Sequence, residues 1–301
     1  MKPLSFIIIT YNRPSDTLEL LKNIAGLDKA EELLEEIIIL NNASSESYAD
    51  VVSYTKSNLS LPFKYYLSPD NKGVSGGRNY AIKKSTAPFL IFLDDDALFK
   101  NKAALVNIQL ALNNNPKTGI LAFKVYYYDT GEMQKNAFPH KQFVQRKDLP
   151  HFETAYFSGC AHAIRKTVFD KVKYYPEDFF YGMEEYDLSY RAINAGYTIE
   201  YTNTIEVLHK ESPLGRIPGE EKIRSMWVNK SKVAWKYLPR IYYLTTKWMW
   251  SFEYLRKTKF NIRGWFKGWK QISRIPATEI RSVVNNEALN YLKKVEARLW
   301  Y

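Results

Sequence analysis

Residues 87–93 (APFLIFL) run without a break into three consecutive aspartates, Asp94, Asp95 and Asp96. An apolar segment of that length, opened beside a proline and closed by acids, reads as a core strand of a parallel sheet. Ligands of such sheets bind beyond the carboxyl ends of the strands. Three carboxylates crowded there repel one another unless a positive partner neutralises them. A divalent cation supplies that partner, because hard cations take oxygen ligands and their charge keeps neighbouring carboxylates ionised. The plainer alternative, an exposed acidic turn capping the next helix, leaves the like charges uncompensated.

The segments around this strand alternate in period. Residues 4–10 (LSFIIIT) form an apolar, β-branched run, followed by Tyr11, Asn12, Arg13 and Pro14 and then a helical pattern through Leu18, Leu21, Ile24 and Leu27. A second strand over residues 36–40 (EIIIL) ends in Asn41, and a helix-like stretch continues to about residue 57. A short strand at residues 63–67 precedes a glycine loop with Gly73, Gly76 and Gly77, then a helix through Arg78 and Asn79. Strands separated by helical segments predict an α/β fold with a mostly parallel sheet covered on both faces. The middle of the chain predicts strands at 119–128 and 155–164, the second carrying a turn at Ser158, Gly159 and Cys160. A helix is expected from just after Glu184 to a stop at Gly196, with acids in its first turn and glycine at its end.

The charge is uneven. Of a net +11, residues 210–301 hold twenty Lys and Arg against seven Asp and Glu, a balance of +13, whereas residues 1–209 stand at −2. All seven tryptophans fall in the basic segment. The expected division is therefore a body at 1–209 and a helical C-terminal extension at 210–301. That extension reads either as a subdomain whose aromatics pack on the body, or as a surface lying on an anionic membrane, where aromatics sit at headgroup depth and cations meet phospholipid. It could equally pair subunits into a homo-oligomer. No stretch approaches the roughly 18 apolar residues of a membrane span and no cleavable leader pattern appears, so the expected location is cytoplasmic, in peripheral contact with the inner face of the membrane. The one cysteine, Cys160, excludes an internal disulfide framework. No nucleic-acid-binding motif accompanies the positive charge.

Four separated motifs, in order, resemble the family 2 glycosyltransferases of GT-A fold: SFIIITYNRP at the first strand, IIILNNAS at the second, NKGVSGGRNYAI with FLIFLDDDA, and FFYGMEEYDLSYRAINAGY with His209 beyond it. The resemblance spans residues 4–209. It implies an inverting transferase that moves a sugar from a nucleotide-diphosphate donor, UDP- or dTDP-linked, to a saccharide or lipid-linked glycan in cell-surface polysaccharide synthesis. Mn²⁺ or Mg²⁺ would act as a Lewis acid on the departing diphosphate. By the resemblance, Asp96 is the main metal ligand, His209 joins the metal or diphosphate, and Asp94 and Asp95 meet the donor, Asp94 also beside the metal. Thr10, Tyr11, Asn12 and Arg13 match the loop that cradles the nucleotide base, Asn41 stands where the family usually has an aspartate, and Arg78 is placed for the diphosphate or ribose. The acceptor hydroxyl needs a base in the transition state. Glu185 falls on the family's base position, where aspartate is more usual, and Asp187 is the second candidate. The Ser158 turn and the helix around residues 224–230 border the acceptor groove by the same resemblance.

Two other readings compete. A scaffold protein that keeps the fold without turnover would bind nucleotide and release no sugar, yet it has no physical need to retain clustered charge at Asp94, Asp96, Glu185 and His209. A nucleotidyltransferase ordinarily has a glycine- and lysine-rich triphosphate loop after the first strand, and Tyr11-Asn12-Arg13-Pro14 is not one.

Overall fold

The computed structural model describes residues 1–179, 181–212 and 219–300. Its first half alternates as β1 (Leu4–Thr10), α1 (Pro14–Ala25), α2 (Ala30–Leu33), β2 (Leu34–Asn41), α3 (Ala49–Ser57), β3 (Phe63–Leu67), α4 (Gly73–Lys84) and β4 (Phe89–Asp94). There follow β5 (Ala97–Phe99), α5 (Ala104–Asn114), β6 (Thr118–Tyr127), α6 (Phe143–Arg146), β7 (His151–Thr154), β8 (Ala161–Arg165), α7 (Lys166–Val172), α8 (Glu184–Asn194) and β9 (Thr198–His209). The C-terminal part is helical: α9 (Gly219–Tyr237), α10 (Arg240–Lys257), α11 (Ile262–Thr278) and α12 (Asn286–Lys294).

One mixed sheet runs in the order β3-β2-β1-β4-β8-β6-β9-β5, with β7 paired to β9. The four strands β3, β2, β1 and β4 are mutually parallel. In register, Ile9 lies opposite Asp94 and Thr10 opposite Asn41, so three strands deliver their polar ends to one edge. Antiparallel pairing of β4 with β8 and of β5 with β9 then folds the middle of the chain over that edge.

Two expectations are corrected here. The glycines at 73, 76 and 77 belong to the first turns of α4 and not to a preceding loop. A Cβ at position 77 would stand 2.9 Å from Ile9 Cγ2, so only glycine lets this helix settle on β1 at that depth. Of the strand expected at 155–164 only residues 161–164 are strand, within β8; residues 155–160, with Ser158, Gly159 and Cys160, form the loop that joins β8 to the earlier strand β7. Two apolar runs flanking a short polar turn are indistinguishable from one interrupted strand until their partners, β9 for one and β4 for the other, are known. Of the late motif, Phe180 lies outside the described residues.

The C-terminal helices share a core with the sheet. Ile7, Leu90 and Phe92 belong to the same buried cluster as Trp227, Tyr254, Ile272 and Leu292. Trp227 is the anchor: it is fully buried, its indole N–H donates to the Lys247 carbonyl at 2.9 Å, and Gly268 lies so close that a Cβ would overlap the ring. Pro239 closes α9 and opens α10, while Asn261 and Asn285 cap α11 and α12 through their side-chain oxygens. The tryptophans divide between core and exposed surface. Trp227 is core, whereas Trp248 on α10 is exposed together with Ile241, Leu244 and Phe252, and α11 adds exposed Ile262 and Phe266. Among the described residues, no helix is long and apolar enough to cross a membrane.

Candidate active site

A cleft of about 800 Å³ opens over the carboxyl edge of the sheet. On its floor the loop after β1 is tied down residue by residue. Thr10 Oγ1 lies 2.7 Å from Thr17 Oγ1 and 2.6 Å from the Tyr48 hydroxyl, so this buried side chain is committed to structure although the residue lines the cleft. Asn12 adopts a left-handed backbone (φ 56°) and accepts from the Ser45 N–H at 2.8 Å. Tyr11 lines the cleft, and its N–H donates to Asp95 Oδ2 at 3.4 Å. Arg13 pairs with Asp95 at 2.7 Å and with Asp96 at 3.2 Å. Burial opposes its charge, but the two aspartates outweigh it and hold the guanidinium firmly protonated.

Asn41 stands outside the cleft lining, with its amide bound to the Tyr65 hydroxyl and its oxygen accepting from the Ser44 N–H, both at 2.9 Å. Its neighbour Asn42 lines the cleft instead. Asn42 ties the strand end to the start of α4 through Asn71 at 3.0 Å, the Gly73 carbonyl at 3.2 Å and the Lys72 N–H at 3.0 Å. Adjacent residues at a strand end point to opposite sides. The pair Asn-Asn in the sequence gives no sign of which one faces the cleft.

Asp94, Asp96 and His209 each offer a ligand atom, and the three atoms lie within 4.8 Å of one another. The ladder that sets Ala97 opposite His209 brings the histidine to Asp96. His209 Nε2 is 3.3 Å from Asp96 Oδ1, and its Nδ1 meets Gln134 Oε1 at 3.0 Å, a contact that orients the ring. Asp96 Oδ2 accepts the Ser212 N–H at 2.8 Å, while Asp96 Oδ1 is buried without a hydrogen bond. Two carboxylates and an imidazole, with one carboxylate oxygen left outside any hydrogen bond, suit a divalent ion such as Mn²⁺, which accepts both nitrogen and oxygen. His209 and Asp96 also support each other's charge. Burial raises Asp96, yet His209 and Arg13 bring it below the usual carboxylate value; burial lowers His209, yet Cys160, Asp96 and Asp94 push it up to about 11. Asp95 is buried deeply enough to be pushed up to about 7 despite Arg13.

Arg78, buried on α4, connects the two walls. It donates to the Gly159 carbonyl at 2.8 Å and pairs with Asp94 at 3.3 Å and Glu184 at 3.4 Å. The facing wall is the start of α8. Glu185 lines the cleft, and burial, then the charge of Glu184, push its carboxyl up to about 8. Asp187 is turned away: Arg191 and Lys236 each pair with it at 2.7 Å, and the Tyr237 hydroxyl donates to it at 2.8 Å. Its side chain anchors α8 to α9. Of the acceptor-side residues expected from sequence, Ser158, Gly159, Cys160 and Lys230 line this cleft, whereas Arg224 lines a separate hollow beside α11.

An acid-tipped parallel half-sheet, roofed by later strands and faced by the start of α8 across a cleft, is the architecture of the GT-A glycosyltransferases. The chain belongs to glycosyl transferase family 2, whose model matches residues 5–173. The O-antigen chain rhamnosyltransferase WbaN of Salmonella anatum is 24% identical over 220 residues, covering 70% of this chain and 67% of the relative. Among solved structures, S. aureus TarS 1-349 in complex with UDP-GlcNAc superposes with a TM-score of 0.63 at 17% identity, over 91% of this chain and 81% of that one. The mannosyltransferase PcManGT from Pyrobaculum calidifontis, in complex with GDP-Man and Mn²⁺, superposes with a TM-score of 0.59 at 15% identity, over 100% and 81%.

Proposed function

We propose that this protein transfers a sugar from a nucleotide-diphosphate donor to a hydroxyl of a saccharide or lipid-linked glycan during cell-surface polysaccharide synthesis, with inversion at the anomeric carbon. The observation that carries the reading is the opposition of two sites in one cleft: the Asp94, Asp96 and His209 cluster on the sheet edge, and Glu185 at the start of α8. Asp94, Asp96 and His209 would hold Mn²⁺ or Mg²⁺, which when bound stabilises charge on the departing diphosphate. Arg13 and Arg78 sit beside those aspartates and supply fixed positive charge to the same end of the cleft.

On the other side the acceptor O–H loses its proton to Glu185 as its oxygen bonds to the anomeric carbon and the bond to the diphosphate breaks. Of the three acids at the start of α8, Glu184 is paired with Arg78 and Asp187 with Arg191 and Lys236, which leaves Glu185 as the base. One base opposite one leaving group fits a single displacement. Asp95, Thr10, Tyr11 and Arg13 would border the nucleotide, and Asn42 takes the place proposed from sequence for Asn41. The family resemblance favours a uridine or thymidine donor, while the solved structures of similar fold include both TarS with UDP-GlcNAc and PcManGT with GDP-Man.

The body at 1–209 would hold donor and metal, and 210–301 would complete the acceptor side and meet the membrane. Ile241, Leu244, Trp248 and Phe252 recur along one exposed face of α10, and Trp248 packs on Trp269 of α11 at 4.6 Å. The neighbouring turn and α11 add the exposed cations Lys259, Arg263, Lys267 and Lys270, a combination suited to an anionic lipid surface.

The deciding experiment is a thermal-shift and hydrolysis panel of UDP-, dTDP- and GDP-sugars, with and without Mn²⁺, on the wild type and Asp96→Ala. Stabilisation and slow sugar release by one donor, both dependent on metal and lost in the variant, are expected. Metal-dependent binding with no release on adding acceptor glycans would mark a silent scaffold instead.

A further inference from the structure

Lys230 is buried in the wall of the cleft, 4% exposed, and its ammonium makes no hydrogen bond to any described residue. No carboxylate pairs with it among the described residues. Its one favourable contact is the face of Tyr186, whose ring centroid lies 3.4 Å from Nζ. Tyr186 stacks in turn on Tyr156 at 4.8 Å, and the Arg298 guanidinium sits 5.9 Å from the Tyr156 ring. The Trp250 indole N–H, in the wall of the same cleft, is likewise buried without an acceptor. Two unspent donors and a second cation thus line the cleft that also holds Glu185, and Lys230 lies against Tyr186, the residue immediately after Glu185.

A buried ammonium on an aromatic face retains much of its desolvation penalty. Elsewhere in this cleft cations are compensated: Arg13 by Asp95 and Asp96, Arg78 by Asp94 and Glu184, Arg256 and Lys257 by Glu253. Lys230 differs from them in being buried with no carboxylate partner among the described residues. We infer that Lys230, with Arg298 and the Trp250 N–H, forms an anion subsite on the acceptor side, and that the acceptor carries a carboxylate or phosphate near the hydroxyl that receives the sugar. This rests on the glycosyltransferase reading, which places the acceptor beside Glu185. Burial and the charge of Arg298 push Lys230 down to about 7 in the empty cleft, and an arriving anion restores the full charge.

The test uses the full chain with its donor site filled by UDP and Mn²⁺, so that anions cannot enter there. Binding of three sugars is followed by saturation-transfer NMR: methyl glucoside, methyl glucuronide and methyl glucoside 6-phosphate. At least one charged sugar is expected to bind about tenfold tighter than the neutral one, the scale of a charge-assisted hydrogen bond. The tighter of the two identifies carboxylate or phosphate as the recognised group. Lys230→Met is expected to erase the preference and Lys230→Arg to keep most of it. Equal binding of all three sugars by the wild type overturns the inference, as does a preference that survives in a folded Lys230→Met. Should Lys230→Met fail to fold, the wild-type and Lys230→Arg comparisons still decide. Loss of UDP binding itself would refute the transferase reading, whereas UDP binding without charge preference removes the subsite alone.

Discussion

The carboxylate of Glu185 rests directly on the backbone of Gly159: a Cβ at position 159 would overlap Glu185 Oε1 and stand 3.3 Å from Arg78 Nη2. The loop between β7 and β8 thereby sets where the proposed base can sit. Gly159→Ala must displace the end of a flexible side chain and little else, so the fold should persist while the base moves. Misplacement by about 1 Å costs on the order of 100-fold in rate. Gly159→Ala is expected to melt within a few degrees of the wild type with kcat reduced about 100-fold, and an unchanged kcat would show that Glu185 is not the base.

Glu185 and Asp187 separate chemistry from stability. Glu185→Gln keeps the shape and removes the proposed base, so transfer should fall by about 100- to 10,000-fold, the range of general-base catalysis, with little change in melting temperature. Asp187→Asn breaks a buried ion pair shared by Arg191 and Lys236 and should cost about 3 kcal/mol of stability. Paired urea titrations and initial rates on the two variants are the check; the reverse pattern would exchange their roles.

The pH dependence follows from the same two groups, with opposite signs. As the proposed base Glu185 would act when deprotonated, and burial with the charge of Glu184 holds its carboxyl up to about 8. Rates should therefore rise with pH toward 8, with the limb moved lower once a cation occupies the neighbouring cluster of acids. A rate flat from pH 5 to 9 would exclude this carboxyl as the rate-controlling base. Asp187 is held below its ordinary value: burial raises it, but Arg191 and Lys236 prevail. Its stabilising contribution is present above the unfolded value of about 3.9 and is lost as pH falls through the depressed folded value, so Asp187→Asn should abolish part of the acid sensitivity below about pH 4.

The exposed apolar face of α10 gives a separate expectation. Trp248→Ser combined with Phe252→Ser should weaken binding to vesicles rich in anionic lipid by about tenfold or more, because each side chain buries apolar area worth roughly 1.5 kcal/mol or more. Donor hydrolysis in detergent-free solution should be retained. Sedimentation of the variant with vesicles at wild-type levels would assign that face to another partner, a second copy of the chain included.

Much of the body was legible in the sequence because its signals are local. The apolar runs at 4–10 and 87–93 end in polar residues within the strand itself, and in a parallel arrangement those ends must share an edge. The glycines of α4 read as a loop because composition records flexibility, whereas Gly77 serves close approach to Ile9. Likewise, a basic, tryptophan-rich segment announces aromatics without saying which are core; Trp227 and Trp248 differ only in what packs over them.

By itself, then, the sequence determined the α/β alternation, the acidic strand end, the start of α8 and the candidate residues for metal and base. Tertiary structure decided which of them meet. Antiparallel pairing of β5 with β9 carries His209 to Asp96, and packing of α9 on α8 consumes Asp187 while leaving Glu185 to the cleft. Lys230 is one lysine among many in a helical pattern until its ammonium proves to be buried with no hydrogen-bond partner among the described residues. The reason is physical: strand and helix preferences arise from neighbours in the chain, but the charge state, orientation and availability of a side chain depend on groups brought near it only by folding.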